Sequence, residues 1–205
     1  MNNIILIIAC LLIGYLMGSI NPAIILSRVK GKDIREMGSG NAGATNTLRN
    51  YGKAAALIVT VCDVFKCVIA VLVAGFAVNM FIPEFVLFGK IFASAGCILG
   101  HNFPLYFGFK GGKGIVVSAT AIFMLDWRIG LIALLSFIVI FSLSRFVSLG
   151  SIMSACIAVV ASLFISETKV FWFVTFAAVL TVIRHRTNIV RLIKGTETKT
   201  TFSKK

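Results

Sequence analysis

From Ala54 to Asn79 the chain carries two charged side chains, Asp63 and Lys66, in an otherwise apolar run. A helix rises about 1.5 Å per residue, so ~20 such residues cross the ~30 Å hydrocarbon core of a bilayer. Further apolar runs lie at about 4–26, 82–100, 114–125, 129–144, 146–165 and 170–183. Lipid offers no hydrogen-bond partner, so a spanning run must satisfy its own backbone, and helices do this. The runs at 4–26, 54–79, 82–100 and 146–165 are long enough alone. Those at 114–125, 129–144 and 170–183 need flanking polar residues or cross only in part. Only 13% of residues are charged, too few for a water-facing surface. The expected fold class is therefore all-α: a polytopic integral membrane protein with seven transmembrane helices, N-terminus outside and C-terminus cytoplasmic. Five or six helices is the fallback count. The first run has an uncharged Met-Asn-Asn start and no small-residue cleavage site, so it reads as a retained helix rather than a signal peptide.

The charges that exist are lopsided, 20 Lys and Arg against 7 Asp and Glu, for a net +13. Arg28, Lys30, Lys32, Arg35, Arg49 and Lys53 lie between the first two runs, and Lys110 and Lys113 follow the third. Arg184, Arg186, Arg191, Lys194, Lys199, Lys204 and Lys205 close the chain. The positive-inside rule puts these three segments in the cytoplasm, which an odd helix count satisfies. A basic membrane face also collects anionic lipids and phosphorylated substrates. Nucleic acid is not an expected partner, because no soluble domain presents a basic face. The chain reads as a single membrane-embedded domain, 1–205, with a short basic tail at about 194–205 that frays or lies on headgroups. Cys10, Cys62, Cys67, Cys97 and Cys156 all fall in apolar runs without zinc spacing and are expected as buried, reduced thiols.

Three polar islands interrupt the apolar chain, all on the expected cytoplasmic side. The first, GSGNAGATNTLR (Gly38 to Arg49), contains a G-x-G-x-x-G pattern. A dinucleotide fingerprint needs an apolar strand before it, and here KGKDIREM precedes. The physics of such loops still applies, since glycines let successive N–H groups converge on an anion. Ser39, Asn41, Thr45 and Asn46 add side-chain donors, and Arg49 adds a planar fork suited to phosphate. A helix beginning within the island would add its positive end; the next apolar helix is expected from about Ala54. A plain interhelical loop remains the competing reading.

The second island, GHNFPLYFGFKGGKG, places Gly111, Gly112 and Gly114 around Lys113, with Lys110 upstream. This suggests a second phosphate contact, although two lysines also suit ordinary positive-inside charge. His101 reads as a structural residue at a helix end, and Phe103, Tyr106, Phe107 and Phe109 as an interfacial belt. The third island, RHRTNIVRLIKG, puts His185 and Asn188 three apart, on one face if the helix continues. Such a pair can orient a hydroxyl, and a histidine titrates near ~6.5. Asp63 and Lys66 read as a pair facing the bundle interior. No carboxylates are arranged to hold a metal, no His-x4-Asp is present, and no cofactor is expected.

In this order and on one face, the three islands resemble the motifs of the bacterial acyl-phosphate:glycerol-3-phosphate acyltransferases, the PlsY family. The resemblance covers nearly the whole chain. It departs from the family at DVFKC, where glycine often follows the lysine, and in the tail after Glu197. The resemblance implies acyl transfer from acyl phosphate to the 1-hydroxyl of glycerol 3-phosphate, giving lysophosphatidic acid and phosphate for phospholipid synthesis. It implies that Ser39, Arg49, Lys113, His185 and Asn188 hold glycerol 3-phosphate, and that Thr45, Asn46, Lys113 and Ser151 hold the acyl phosphate. Lys113, His185 and Asn188 are the implied catalytic set. Asn41, Lys110, Gly111, Gly112, Ser148 and Arg184 complete the expected binding residues. The implied partners are the two substrates, membrane lipid and a soluble enzyme that makes acyl phosphate. The implied location is the bacterial inner membrane, with the site on the cytoplasmic side. The competing function is a small-anion transporter.

Overall fold

A computed structural model of the chain describes residues 3–200; the tail cations Lys204 and Lys205 lie outside them. Among the described residues the regular structure is helical throughout. The α-helices are α1 (Asn3–Ser19), α2 (Pro22–Val29), α3 (Ala44–Phe81), α4 (Val86–Asn102), α5 (Ile115–Leu125), α6 (Trp127–Ser144), α7 (Val147–Ile165), α8 (Thr168–Arg184) and α9 (Arg186–Ile193). They form two compact units, Met1–Leu125 and Asp126–Lys205.

Five stretches are long and apolar enough to cross a membrane: Asn3–Val29, Ala44–Phe81, Pro83–Phe107, Trp127–Ser144 and Val147–Ile165. A sixth is obtained if α8 and α9, bent by 60° at their junction, count as one. That is the fallback count rather than seven. The short member is α5: its 11 residues span only about 16 Å of helix. It is bounded by left-handed Gly114 and by Asp126, which caps α6. The large apolar side chains left outside, such as Phe76, Leu143 and Phe164, suit lipid.

In the first unit α1 and α4 touch backbone to backbone. Gly14 and Gly18 on α1 and Gly96 and Gly100 on α4 form reciprocal small-x3-small faces. A Cβ on Gly96 would overlap the Leu11 carbonyl oxygen, and one on Gly14 the Ala93 carbonyl. Further along, a Cβ on Gly18 would meet the Cys97 carbonyl and one on Gly100 the Tyr15 carbonyl. Where the two helices end together, Tyr15 Oη donates to the Phe103 carbonyl at 2.9 Å and the Leu105 N–H donates to Ser19 Oγ at 3.2 Å.

Helix α3 starts ten residues earlier than the apolar pattern suggests. It opens at Ala44, inside the first island, and is interrupted at Gly52 (φ 81°, ψ −176°). The limb 44–51 thus belongs to the polar loop and the limb beyond Gly52 to the apolar run. The cysteines divide as well: Cys10, Cys67 and Cys97 are buried, whereas Cys62 and Cys156 are exposed on outward helix faces.

In the second unit α7 packs against both α6 and α8. The tail is docked rather than frayed as far as Thr200, whose N–H donates to the Arg145 carbonyl at 2.9 Å. At the other end of α6, Asp126 takes a two-pronged bond from Arg128 (3.0 and 2.8 Å) and one from Ser166 Oγ at 2.8 Å.

Two outcomes follow for stability. Gly96→Ala forces a methyl into the α1 backbone, an overpacking that costs about 1–3 kcal/mol. Its thermal unfolding in detergent should fall by several degrees, while Leu12→Ala on the lipid-facing side of α1 should change little. The bonds from Arg128 and Ser166 hold the Asp126 carboxyl down at about 2. A carboxyl whose pKa is depressed on folding stabilises above its unfolded value, ~3.9, and loses that contribution as pH falls through the folded value. The gap in thermal stability between wild type and Asp126→Asn should therefore be constant from pH 7 to about pH 4 and close towards pH 2.

Candidate active site

The first island is shaped by its own side chains. Gly38 and Gly40 are left-handed (φ 55° and 71°), so the chain turns twice before α3. Fully buried Asn46 sits at the centre. Its Nδ2 donates to the Ile34 and Met37 carbonyls (3.1 and 2.9 Å), and its Oδ1 accepts from the Ser39 N–H and from Asn50 Nδ2, both at 3.1 Å. Any Cβ on Gly38 would press on Asn46 and Asn50. Asn46 therefore folds the loop around itself. Beside it Ser39 and Arg49 are exposed, and Asn41 and Thr45 are half-buried. The loop feeds straight into the N-terminus of the limb 44–51, where first-turn N–H groups lack intrahelical acceptors and attract anions.

Upstream residues fix the island in place. Asn21 caps α2 by accepting from the Ile24 N–H at 3.1 Å, with Pro22 in the first turn, and its Nδ2 donates to the Ala42 carbonyl at 3.3 Å. Buried Ser27 accepts from the Ile34 N–H at 2.9 Å. Asp33 holds Arg35 by two bonds, 3.0 and 2.8 Å, and the Arg35 bond keeps the Asp33 carboxyl well below the usual carboxylate range. Arg35 then donates from Nη1 to the carbonyls of Phe107 (2.7 Å) and Lys110 (3.2 Å). This arginine ties the first island to the second.

The second island folds back over the end of α4. The Gly111 N–H donates to the Asn102 carbonyl and the Gly112 N–H to the His101 carbonyl (3.2 and 3.1 Å). Buried Gly112 is wedged between the islands: a Cβ there would collide with His101 Nε2 and the Ala42 carbonyl. Lys113 follows directly, half-buried, and Lys110 stands exposed. In the first unit two glycine loops thus meet at Gly112 and Ala42; one carries Lys110 and Lys113, the other Ser39 and, where it enters α3, Thr45 and Arg49. That is an arrangement able to bind a phosphate. Phe107 belongs to the loop rather than to an outer belt, since Arg28 stacks over its ring at 5.3 Å.

The second unit holds the remaining expected residues. The helix does not continue through the third island; it breaks at His185, the cap shared by α8 and α9. His185 is buried at this bend and its Nδ1 lies 2.8 Å from the Thr181 carbonyl. A carbonyl only accepts, so Nδ1 carries the proton and the lone pair of the neutral ring is on Nε2. Asn188, Ser148 and Arg191 converge on Glu197: Asn188 Nδ2 and Ser148 Oγ both donate to Oε1 at 2.7 Å, and Arg191 pairs with Oε2 at 3.0 Å. Ser151, one turn after Ser148, is buried and donates to the Val147 carbonyl at 2.8 Å, and Arg184 is half-buried at the end of α8. Among the described residues, no three His, Cys, Asp or Glu side chains gather as a metal-ligand set.

Several residues that shape these loops were not expected from the sequence: Asn21, Ser27, Asp33, Arg35, Thr181 and Glu197. Asn21-Pro22 is a legible cap-and-first-turn signal. Ser27, Asp33 and Thr181 bond neighbours two to seven residues away in patterns that no motif describes, whereas Arg35 and Glu197 also reach Phe107 and Ser148 far along the chain.

Comparison with known proteins gives this geometry a family. Residues 8–195 match the family model described as glycerol-3-phosphate acyltransferase. A glycerol-3-phosphate acyltransferase of Thermoanaerobacter pseudethanolicus is 41% identical over 190 residues, 92% of each chain. A Deinococcus radiodurans protein, glycerol-3-phosphate acyltransferase 1, is 43% identical over 190 residues, 91% of this chain and 92% of its own. Among solved structures, PlsY, an integral membrane glycerol 3-phosphate acyltransferase, in its glycerol 3-phosphate form superposes with a TM-score of 0.86 at 32% identity, covering 95% of this chain and 96% of its own. Its lysophosphatidic acid form gives 0.83 at the same identity. The chain belongs to the glycerol-3-phosphate acyltransferase family.

Proposed function

We propose that this protein transfers an acyl group from acyl phosphate to the 1-hydroxyl of glycerol 3-phosphate, releasing lysophosphatidic acid and inorganic phosphate. The observation that carries this reading is the junction at Gly112, where two glycine loops bearing Arg49, Lys110 and Lys113 meet without a side chain between them. Both substrates carry a phosphate, and the acyl donor is a lipid that reaches a membrane-embedded site from the bilayer. Acyl phosphate is already activated, so the protein has to position and neutralise rather than form a covalent intermediate.

In this reading the hydroxyl oxygen attacks the acyl carbon, the bond from that carbon to the phosphate oxygen breaks, and phosphate leaves. Lys113, with Arg49 and Ser39, holds glycerol 3-phosphate. Thr45 and Ser151, with Lys113, hold the acyl phosphate, in a loop whose shape Asn46 sets. Asn41, Lys110, the Gly111 and Gly112 backbone, Ser148 and Arg184 complete the surroundings. His185 and Asn188 steer the hydroxyl, whose proton passes to Nε2 of His185 or to the departing phosphate. We read His185 as a positioning residue. The chain acts as one functional domain, 1–205, of a bacterial inner membrane, with acyl phosphate supplied by a soluble enzyme.

The topology that goes with it has seven membrane helices, α1, α3, α4, α5, α6, α7 and α8, N-terminus outside. It keeps the cation-rich segments in the cytoplasm. It is supported inside each unit: Arg35 joins the α2–α3 and α4–α5 links, and Thr200 joins the tail to the α6–α7 link. Asp126 and Arg128 join the α5–α6 and α7–α8 links, which this topology puts outside. A transporter would use midplane charges for transit, whereas Asp63 and Lys66 pair with each other at 2.7 Å in a buried site.

Purified protein in detergent or lipid should release phosphate and form lysophosphatidic acid only when both substrates are present. A strict demand for acyl-CoA or acyl carrier protein would overturn the donor assignment, and vesicle uptake of phosphate without acyl transfer would favour transport. Lys113→Ala should lower kcat/KM by about 10²–10³-fold, the usual cost of losing one preorganised charge-stabilising donor. His185→Gln should keep the acidic limb of the pH–rate profile, the side on which a general base is lost by protonation, and part of the rate. Loss of the limb assigned to the imidazole, with activity abolished, would make His185 the base.

A further inference from the structure

Asp63, Lys66 and His101 form a buried polar cluster among apolar helices of the first unit, each no more than 6% exposed. Lys66 Nζ lies 2.7 Å from Asp63 Oδ1, 3.0 Å from His101 Nδ1, and 3.1 and 2.8 Å from the carbonyls of Gly18 and Ile20. His101 Nδ1 is also 3.3 Å from Asp63 Oδ1. One ammonium thus joins the carbonyl end of α1, the middle of α3 and the last turn of α4. The Gly18 carbonyl is among the groups that the end of α1 leaves unsatisfied, and Ile20 follows directly after the helix. A buried ion pair adds little net stability over an apolar pair, so packing alone does not explain keeping these charges in a membrane bundle. The polar atoms of Asp63 and Lys66 are turned to one another, to His101 and to backbone carbonyls, so what they contribute runs through the groups that they hold.

What the cluster does reach is the turn before Lys113. With Nδ1 turned to Lys66, the opposite edge of the His101 ring carries Nε2, and Gly112 is seated against it. The His101 carbonyl takes the Gly112 N–H, and the adjacent Asn102 carbonyl takes the Gly111 N–H. We propose that Asp63, Lys66 and His101 are positioning residues for Lys113: together they fix the imidazole on which the Gly111–Gly112 turn rests, and so set where the Lys113 ammonium stands. This rests on the reading of Lys113 as a phosphate contact.

The test removes both charges together, Asp63→Asn with Lys66→Met, so that no lone buried ion remains. His101→Asn, which keeps a group near Nδ1 for Lys66 but leaves no ring edge under Gly112, is the second variant should the first fail to accumulate. In full-length protein in detergent, hydrogen exchange of a peptide covering residues 108–116 should accelerate at least tenfold, with peptides of α1, α3 and α6–α8 unchanged. The KM for glycerol 3-phosphate should rise about tenfold with a smaller change in kcat. In a Lys113→Ala background the same substitutions should cost less than twofold, because both act through one side chain. Unchanged exchange at the turn, acceleration spread over every helix, or an equal loss in both backgrounds would overturn the proposal. Full activity of Lys113→Ala alone would instead sink the reading of Lys113, and with it the consequence drawn here.

Discussion

The glycine contact between α1 and α4 is the constraint on which the first unit depends. In lipid, helices gain nothing from hiding apolar surface from one another, so association relies on close packing and on polar contacts. Gly14, Gly18, Gly96 and Gly100 supply the packing, because each gives up a Cβ where the facing backbone lies. The consequence is positional. The two helices finish side by side, so Tyr15 and Ser19 can bond the backbone after α4, and Lys66 can reach the last carbonyls of α1 and the His101 ring at once. The glycine loop that carries Lys113 is built on that shared end.

A second theme is that much of the polar chemistry is internal. Asn46, Asn21, Ser27, Asp33 and Arg35 spend their hydrogen bonds on backbone and on each other, and Glu197 gathers Ser148, Asn188 and Arg191. A loop at a membrane surface has few apolar contacts to fix it, and a site that binds small phosphates needs its donors held to within about half an ångström. Buried side-chain bonds to backbone carbonyls provide that rigidity. The groups that stand exposed beside them, Ser39, Arg49 and Lys110, are those whose chemistry suits an anion.

The helical class and the three islands were legible because both follow from local rules: apolar run length, charge placement, and glycines among donors. The start of α3 at Ala44 was not, because ATNTLRNY is polar and the left-handed break at Gly52 hides the limb from any apolar period. Length and hydropathy together pass five or six spans, and the seventh of the expected count rests on α5, whose eleven residues are apolar but short. Whether the helix continues through RHRTN is left open by the sequence, which shows only that the apolar run stops before it. What ends it is three-dimensional, as α9 turns by 60° and its Asn188 and Arg191 meet Glu197 on the docked tail. Long-range contacts also explain why the bonds from Arg35 to Phe107 and from Ser148 to Glu197 were not foreseen, while the pairing of Asp63 with Lys66, three apart on one helix, was.

The G-x-G-x-x-G in the first island shows how much context decides what a motif means. Its glycines serve backbone geometry: Gly38 and Gly40 turn left-handed, and Gly43, extended, opens the limb 44–51 without a side-chain cap. That places a helix N-terminus behind a tight turn, which is also what a nucleotide-binding loop does. The likeness is one of physics and not of fold, since among the described residues there is no strand for the loop to follow. A second glycine loop occupies the place beside it, with Gly112 set against Ala42. Two backbones meet there with their own N–H groups largely spent on internal carbonyls, so in the proposed reading an acceptor and a donor that each bear a phosphate rely on the side chains that flank the junction, Ser39, Arg49, Lys110 and Lys113.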